Sequence, residues 1–354
     1  MQKRLIRSIV LIAGISAAGL LMVNNVTANQ SEPNKPILYM TPSEIFSNPK
    51  LRQLAEVAQR GEVDEIKKLI AEGVNVNGRG KYGITPLYSA AQAGNKAGYK
   101  ALLDHGADPN VIWTTGDTLM NITASSSPDP YFMRLALEHG GNPNLVAPRT
   151  GATPLLAATT DVGKINIPVL IKAGANLNQQ LPVSRETAMM RAVDDFGQFD
   201  VVYELLRAGA NYKLQNTQGW DIRDFVQDSF HDSVPADEIK WRNKVIEFLK
   251  QHNFWPRIHW PENPHTNTFL VVPGETYTLS WDKVSGATSY DLRLNQHVVK
   301  TGITATDYSA KAPDVADTVD GLLFWWVRAC NSQECSGWSP VITIRVKPAD
   351  NKHN

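Results

Sequence analysis

Two cysteines are the residues of this chain whose type and spacing point most directly to a reaction. Cys330 and Cys335 have four residues between them, so a β-hairpin would bring their sulfur atoms within bonding distance. An oxidising compartment would join the two sulfurs in a disulfide. The alternative is a reactive redox pair, but the C-x-x-C spacing and a helix N-terminus that would lower a thiol pKa are both missing. The spacing therefore favours a structural disulfide.

Histidines and paired carboxylates are the other candidates for chemistry. His105 and His139 each stand just before a glycine at the end of a predicted helix, where the helix dipole favours a cationic side chain. Asp194 and Asp195 lie at a helix end, which favours exposure to solvent over acid–base catalysis. The sequence has no G-x-S-x-G, H-E-x-x-H or phosphate-loop motif. We therefore predict no enzyme activity and no catalytic, cofactor or metal site; a hydrolase site assembled from distant residues is the alternative.

The composition is typical of globular domains. The 354 residues suffice for two domains, and 42% are hydrophobic. The 35 basic and 35 acidic residues give a formal charge of zero. This balance argues against a nucleic-acid binder, which would need a basic excess to displace counterions.

The first 28 residues resemble a secretory signal peptide. Lys3, Arg4 and Arg7 precede an apolar run at 9–23, and Val26 and Ala28 supply the small residues that a signal peptidase recognises. The run is shorter than the roughly 20 residues of a membrane span, and an uncleaved anchor is the alternative. We predict an exported protein, which in a Gram-negative bacterium resides in the periplasm and has no membrane attachment after cleavage.

A short motif, Gly-x-x-x-Asn or a close variant, recurs along the chain. Its glycines step by 33, 34, 34 and 35 residues, and they are Gly73, Gly106, Gly140, Gly174 and Gly209. A repeat of this period indicates a stacked array, in which each unit buries its apolar face against its neighbours.

One repeat shows how the local sequence would form its helices. Thr85 is placed to cap a helix with its hydroxyl, and Pro86 follows at the first helical position, where its missing N–H costs nothing. A second helix is predicted over 96–105. Gly106 then permits the left-handed turn that ends it.

These residues resemble the ankyrin-repeat family. The Thr-Pro-Leu at 85–87 with Gly106-Ala-Asp-Pro-Asn110, and the same combination at 153–155 with 174–178, are the best matches. The resemblance covers about 50–254 in roughly six units, of which the terminal ones diverge. It implies an all-α solenoid of helix pairs with β-hairpin fingers that binds a partner through its concave surface.

The fingers, which are the turns between each glycine motif and the next helix pair, carry the residue types that dominate binding energy at interfaces. The predicted partner-binding residues are Lys81, Tyr82, Trp113, Arg149, Arg185 and Trp220. Two alternatives stay open at this level: Trp113 could fold back onto its own repeat, and the arginines could simply be solvated.

A second domain follows a proline-rich linker at 255–267. Short alternating runs at 277–281, 289–294, 323–329 and 340–346 predict a β-sandwich. The region 268–348 resembles a fibronectin type III domain, with Trp281 at the position of that family's core tryptophan. Trp325 and Trp326 are neighbours in a strand, so one must face the core, and the other could stack with Arg328 or Arg345 and with Trp338. An aromatic surface for a sugar is the alternative.

The sequence as a whole predicts an exported bacterial ankyrin-repeat protein with a C-terminal fibronectin type III-like domain. Its segments are a signal peptide (1–28), an N-terminal linker (29–49), the ankyrin repeats (50–254), the linker (255–267), the sandwich (268–348) and a tail (349–354). The predicted function is a periplasmic adaptor, and the most specific hypothesis, by analogy with exported bacterial ankyrin proteins, is an immunity or inhibitor protein against a toxic enzyme. A scaffold for a periplasmic enzyme and a cell-wall glycan binder are the alternatives.

Overall fold

A computed structural model describes residues 37–228, 236–295, 297–313 and 318–347 of the chain. The predicted signal peptide and much of the predicted N-terminal linker lie outside these residues. The described residues up to Pro182, together with Asp194–Phe196, form one compact unit, and those from Val183 onward form a second. Within the described ranges, no helix has both the length and the apolar character needed to cross a bilayer.

The first unit consists of short helices arranged in successive pairs. A 3₁₀ turn at Ile37–Tyr39 leads into them, and two more lie at Lys81–Gly83 and Gly163–Asn166. The helices are α1 (Pro42–Ile45), α2 (Pro49–Arg60), α3 (Val63–Ala71), α4 (Pro86–Gln92), α5 (Lys96–Asp104), α6 (Leu119–Ser126), α7 (Pro130–Glu138), α8 (Pro154–Ala157) and α9 (Ile167–Lys172).

The recurring glycines end the second helix of each pair. All five have φ between 80° and 90°, and an added Cβ would meet no atom within 4 Å. Their role is therefore conformational, since the left-handed region is costly for any residue with a Cβ. This confirms the turn that the sequence predicts at Gly106.

The last asparagine of the repeated motif ties one repeat to the next. The Asn77 side chain donates to the Gly106 carbonyl at 2.8 Å and accepts from the Asp108 amide at 2.7 Å. Asn110 makes the same two bonds one repeat later, to the Gly140 carbonyl at 2.9 Å and from the Asn142 amide at 2.7 Å. The motif thus satisfies backbone groups that follow a helix end, which otherwise lack partners.

Thr85 stands at the predicted cap position, but the predicted hydrogen bond to its hydroxyl is absent. Thr85 does precede α4, but its hydroxyl is buried and has no partner among the described residues. Thr118, at the same position before α6, does accept from the Asn121 amide at 3.1 Å. The two threonines occupy the same position before a helix, so the Thr residue alone does not predict the cap hydrogen bond.

The second unit begins with two further helix pairs. They are α10 (Ala188–Asp194), whose last residue belongs to the first unit, α11 (Phe199–Arg207), α12 (Ile222–Asp228) and α13 (Ala236–Gln251). α13 is longer than the closing helix expected near 241–251. It packs on α11, where Tyr203 and Trp241 lie 5.8 Å apart between ring centroids.

The C-terminal region is β-rich and forms two sheets. The strands are β1 (His265–Thr266), β2 (Leu270–Val271), β3 (Thr276–Ser280), β4 (Ser289–Leu294), β5 (His297–Ile303), β6 (Asp307–Lys311), β7 (Leu322–Cys330) and β8 (Ile342–Val346). One sheet has the order β1-β3-β6 and the other β2-β8-β7-β4-β5. All neighbours are antiparallel except β2 and β8.

Alternation along the strands builds the core of this region. Trp281 and Trp325 are buried together with Leu279, Leu292 and Leu323. Trp326, next in the strand, points to the opposite face, as the alternation requires. The antiparallel arrangement also brings Cys330 opposite Cys335, and the two are joined in the disulfide that their spacing favoured.

Candidate protein-interaction surface

Three fingers of the first unit are closed by short backbone hydrogen bonds. The Gly80 amide donates to Ile84 at 2.8 Å, Trp113 to Asp117 at 2.8 Å, and Ala147 to Ala152 at 2.9 Å. Each finger is therefore a tight hairpin-like turn. The residues at its tip are held by the backbone rather than by a core.

Neighbouring fingers are also bonded to each other. The Thr114 amide donates to the Tyr82 carbonyl at 2.9 Å, and the Arg149 amide donates to the Gly116 carbonyl at 3.1 Å. The Arg79 guanidinium donates to the Ile112 carbonyl at 3.0 Å. A row of tips that is linked in this way loses little further conformational freedom on binding.

Five residues with exposed or half-buried side chains form what we call the finger surface: Lys81, Tyr82, Ile112, Val146 and Arg149. The Lys81 ammonium lies 5.2 Å from the centroid of the Tyr82 ring. Arg149 pairs with Asp117 at 2.7 Å, and its side chain stays one-third exposed. The surface thus combines apolar groups with basic ones, so three of the predicted site residues are brought onto one surface.

Tyr82 has an unusual backbone conformation. Its φ is 59° and its ψ 12°, in the left-handed region that a tyrosine rarely adopts. Gly83, which follows, is also left-handed at 78°. This conformation costs roughly 1–2 kcal/mol at a residue with a Cβ, so the rest of the finger must enforce it.

The expectation that Trp113 is exposed on its finger is wrong. Its side chain is 3% exposed and packs edge-on against Tyr88, with ring centroids 5.0 Å apart. The indole packs beside the first helix of the preceding pair, where burial of its ring atoms is favourable, although its Nε1 is buried without a partner among the described residues. Trp113 therefore supports the finger and cannot contact a partner.

Trp220, in the second unit, is half-buried against other aromatic residues. Its indole stacks on Trp260 at 4.3 Å between centroids, with an interplanar angle of 5°. Its Nε1 donates to the Trp338 carbonyl at 2.7 Å. The prediction that Trp220 is exposed is wrong, because Trp260 and Trp338 of the C-terminal region pack against it. Spacing in the sequence does not reveal such a long-range contact.

Arg185 remains exposed on its finger in the second unit. Its φ of 57° is left-handed, as at Tyr82. The preceding residue, Ser184, accepts from the Thr217 amide at 3.0 Å, so these two fingers are linked like those of the first unit. Its role in binding stays a prediction.

The histidines have local partners, as their position suggested. His105 Nδ1 lies 2.8 Å from the Ala101 carbonyl, and His139 Nδ1 lies 2.9 Å from that of Leu135. Within the described ranges, one group of side chains has metal-ligand spacing, Asp291 with Cys330 and Cys335. Both of its sulfurs are bonded to each other, which leaves a single carboxylate.

One face of the C-terminal sheets carries a stack of aromatic rings and guanidinium groups. Arg293 lies 4.4 Å from the Trp326 centroid and 4.9 Å from that of Trp338, and Arg328 lies 4.6 Å from Trp338. Trp338 is 5% exposed. The stack contains the predicted Arg328 and Trp338, but its central cation is Arg293, which the strand pattern does not predict. Because Trp338 is covered within this stack, its ring is not open to a glycan.

Comparison with known proteins identifies the repeats. A family model for ankyrin repeats in three copies matches residues 45–112. Among solved structures, the crystal structure of EF0377, an ankyrin repeat protein, is similar at 21% identity with a TM-score of 0.47, over 57% of this chain and 98% of that chain. No curated protein matches the sequence.

The chain therefore contains ankyrin repeats, as its glycine spacing predicts. Repeats of this family are typical non-enzymatic scaffolds that bind other proteins. A β-rich region of two sheets follows them. The chain therefore combines ankyrin repeats, matched over residues 45–112, with a C-terminal region of two sheets.

Proposed function

We propose that the chain binds another protein through the finger surface of its first unit. The observation that carries this proposal is the row of three finger tips joined by backbone hydrogen bonds at Tyr82, Thr114, Gly116 and Arg149. Such a row presents side chains at fixed spacing before any partner arrives. Pre-organisation of this kind raises affinity because less conformational freedom is lost on binding.

The left-handed conformation of Tyr82 supports the same proposal. A glycine at this position would be free of the conformational cost, as it is at Gly83. The tyrosine therefore costs folding energy, while its ring lies half-buried at a finger tip, partly covered by Lys81. Residues that keep such strain cluster at binding and catalytic sites, and tyrosine is among the most frequent hot-spot residues.

The charge of the surface indicates the chemistry of the partner. Lys81 is exposed, and Arg149 keeps one-third of its side chain exposed beside a single acidic residue, Asp117. A partner with a carboxylate-rich surface around an apolar or aromatic centre would complement this arrangement. A standard interface buries roughly 1,600 Å² in total, to which the finger surface would contribute the central part.

A triple variant tests this proposal. Replacing Lys81→Ala, Tyr82→Gly and Arg149→Ala together should weaken binding at least about 30-fold, as expected for loss of a hot spot of about 2 kcal/mol. Asp320→Gly is the matched control, since Asp320 is another non-glycine with positive φ (53°) and lies outside the repeats. Proteins captured by wild type and control but not by the triple variant are the expected result. Equal capture by all three proteins would refute the proposal.

The cellular role that we propose is an exported inhibitor or immunity protein for a toxic enzyme in the periplasm. The basic, apolar start of the sequence and the cysteine pair support export. Fractionation of a tagged full-length chain tests the location, and recovery in the cytosol would contradict it. The product of the neighbouring gene is the first partner to test, because immunity proteins are encoded beside their toxins.

We also propose that the C-terminal region is a fibronectin type III-like sandwich. Its three-stranded and five-stranded sheets, with Trp281 and Trp325 in a common core, support this. An experimental structure with a different strand order would contradict it.

A further inference from the structure

The last finger, residues 216–220 of the second unit, lies against the C-terminal sheets. The Trp338 amide donates to the Gln218 carbonyl at 2.9 Å, and the Trp220 indole donates to the Trp338 carbonyl. The approach is so close that a Cβ added at Gly337 would lie 1.9 Å from Trp220 Cδ1. The finger and residues 336–338 are therefore closely packed against each other.

Arg257 joins both sides of this contact. On the repeat side it donates to the Gly219 carbonyl at 2.9 Å, to Asp221 at 3.1 Å, and to Asp224. On the sheet side, its Nε and Nη2 donate to the Cys335 carbonyl at 3.2 and 2.8 Å. All three charged side chains are at most 5% exposed, so these bonds act in a low dielectric.

A second link runs through Glu334. Its carboxylate lies 3.1 Å from Arg223, which also pairs with Asp221 at 2.9 Å. The other oxygen of Glu334 accepts from the Ile258 amide at 3.2 Å. On the sheet side, Arg257 therefore bonds to Cys335 and Arg223 pairs with Glu334, which are consecutive residues of one loop.

We call residues 331–335 the Cys loop, because the disulfide closes it. Cys330 and Cys335 have Cα atoms 4.0 Å apart, and the Ser336 amide donates to the Ala329 carbonyl at 2.8 Å beside them. Inside the loop, the Asn331 amide donates to the backbone carbonyl of Glu334 at 2.9 Å. Cys335 is partly exposed, whereas Cys330 is buried, so Cys335 is the more accessible residue of the pair.

We propose that the disulfide is a redox latch, which holds the Cys loop in the geometry that anchors Arg257 and Arg223. A dithiol reductant opens it: one thiolate attacks the Cys335 sulfur, the S–S bond breaks, and the reductant's second thiolate resolves the mixed disulfide. Two electrons and two protons pass to the cysteines, which become thiols, and the reductant leaves as a disulfide. The freed loop gains conformational freedom, so the carbonyl of Cys335 and the carboxylate of Glu334 no longer stay aligned, and the last repeat separates from the sheets.

The latch does not depend on the proposed partner binding, and its test needs no partner. Hydrogen exchange of the full-length chain is followed by mass spectrometry, with and without dithiothreitol. On reduction, amides of α12 and the last finger should exchange about tenfold faster or more, while those of β3 and β4 keep their rates. Helix α4 of the first unit serves as an internal control.

Two variants separate the latch from a general effect of the disulfide. Cys330→Ser with Cys335→Ser should exchange like the reduced protein without any reductant. Arg257→Gln should exchange fast at α12 in the oxidised state, with little further increase on reduction. Glu334→Gln, which keeps the Cys335 carbonyl, should give an intermediate rate and replaces Arg257→Gln if that variant does not fold.

Unchanged exchange at α12 after reduction would overturn the proposal. Equal acceleration in β3 and β4 would also overturn it, because the disulfide would then stabilise the sheets as a whole and not the contact with the last repeat.

Discussion

Arg257→Gln is the perturbation for which the structure gives the clearest magnitude. The variant removes a guanidinium that lies between two carboxylates with 1% exposed side chains. Asp221 keeps Arg223 as a partner, but Asp224 loses the cation that faces it. Breaking a buried ion pair by removing one member costs about 3–5 kcal/mol, because the remaining charge is left without compensation.

Urea unfolding at pH 8, above the pKa of Asp224, measures this cost when it is followed by tryptophan fluorescence. We expect the transition of the second unit to lose about 3–5 kcal/mol in Arg257→Gln. The double variant with Asp224→Asn should lose at least about 2 kcal/mol less than the sum of the two single variants, since the two groups act on each other directly. A cost below about 1 kcal/mol, or strict additivity, would refute the account of Arg257 as the centre of this cluster.

Three further predictions concern single side chains. Burial raises the pKa of Asp224 from its ordinary 3.8 to about 7, against the opposing effect of Arg257. The contribution of Asp224 to the stability is therefore fully present below pH 3.8 and is lost as the pH rises through 7. In the wild type, the free energy of unfolding should therefore fall by up to about 1.4 kcal/mol per pH unit between pH 4 and 7, and Asp224→Asn should remove this fall. The same dependence on pH in the wild type and in the variant would contradict this. Thr85→Val should leave the stability unchanged or raise it, because the change removes a buried hydroxyl without a partner among the described residues. Thr118→Val should lower the stability by about 1 kcal/mol, because the helix loses its cap hydrogen bond. Thermal unfolding in which Thr85→Val is the less stable of the two variants would contradict this. Gly98→Ala should destabilise the first unit by more than about 2 kcal/mol in chemical denaturation, since the new Cβ would lie 1.9 Å from the Ala58 carbonyl oxygen, and a wild-type midpoint would show that this approach is not needed.

The repeats could be predicted from the sequence because their signals are local. The glycine after the second helix of each pair and the proline at the start of several helices act within one or two turns, so the spacing of Gly73, Gly106 and Gly140 is sufficient to indicate a stacked array. The disulfide is local in the same sense, as five positions separate its cysteines.

The errors in the candidate site come from contacts distant in sequence or from side-chain geometry. Trp113 is buried against Tyr88, 25 positions earlier, and Trp220 is partly covered by residues 40 and 118 positions later. A tryptophan in a turn looks the same in the sequence whether it faces solvent or another part of the chain. The left-handed backbone of Tyr82 was equally hidden, although the adjacent Gly83 hints at an unusual turn.

The most direct test of the central claim, that the finger surface binds a protein, is site-specific photo-crosslinking. Tyr82 is replaced by p-benzoylphenylalanine in the full-length chain, and cells are irradiated. We expect one discrete adduct at position 82 and none when the probe replaces Asn243, an exposed residue of α13. No adduct at position 82, or the same adduct from both positions, would contradict the claim.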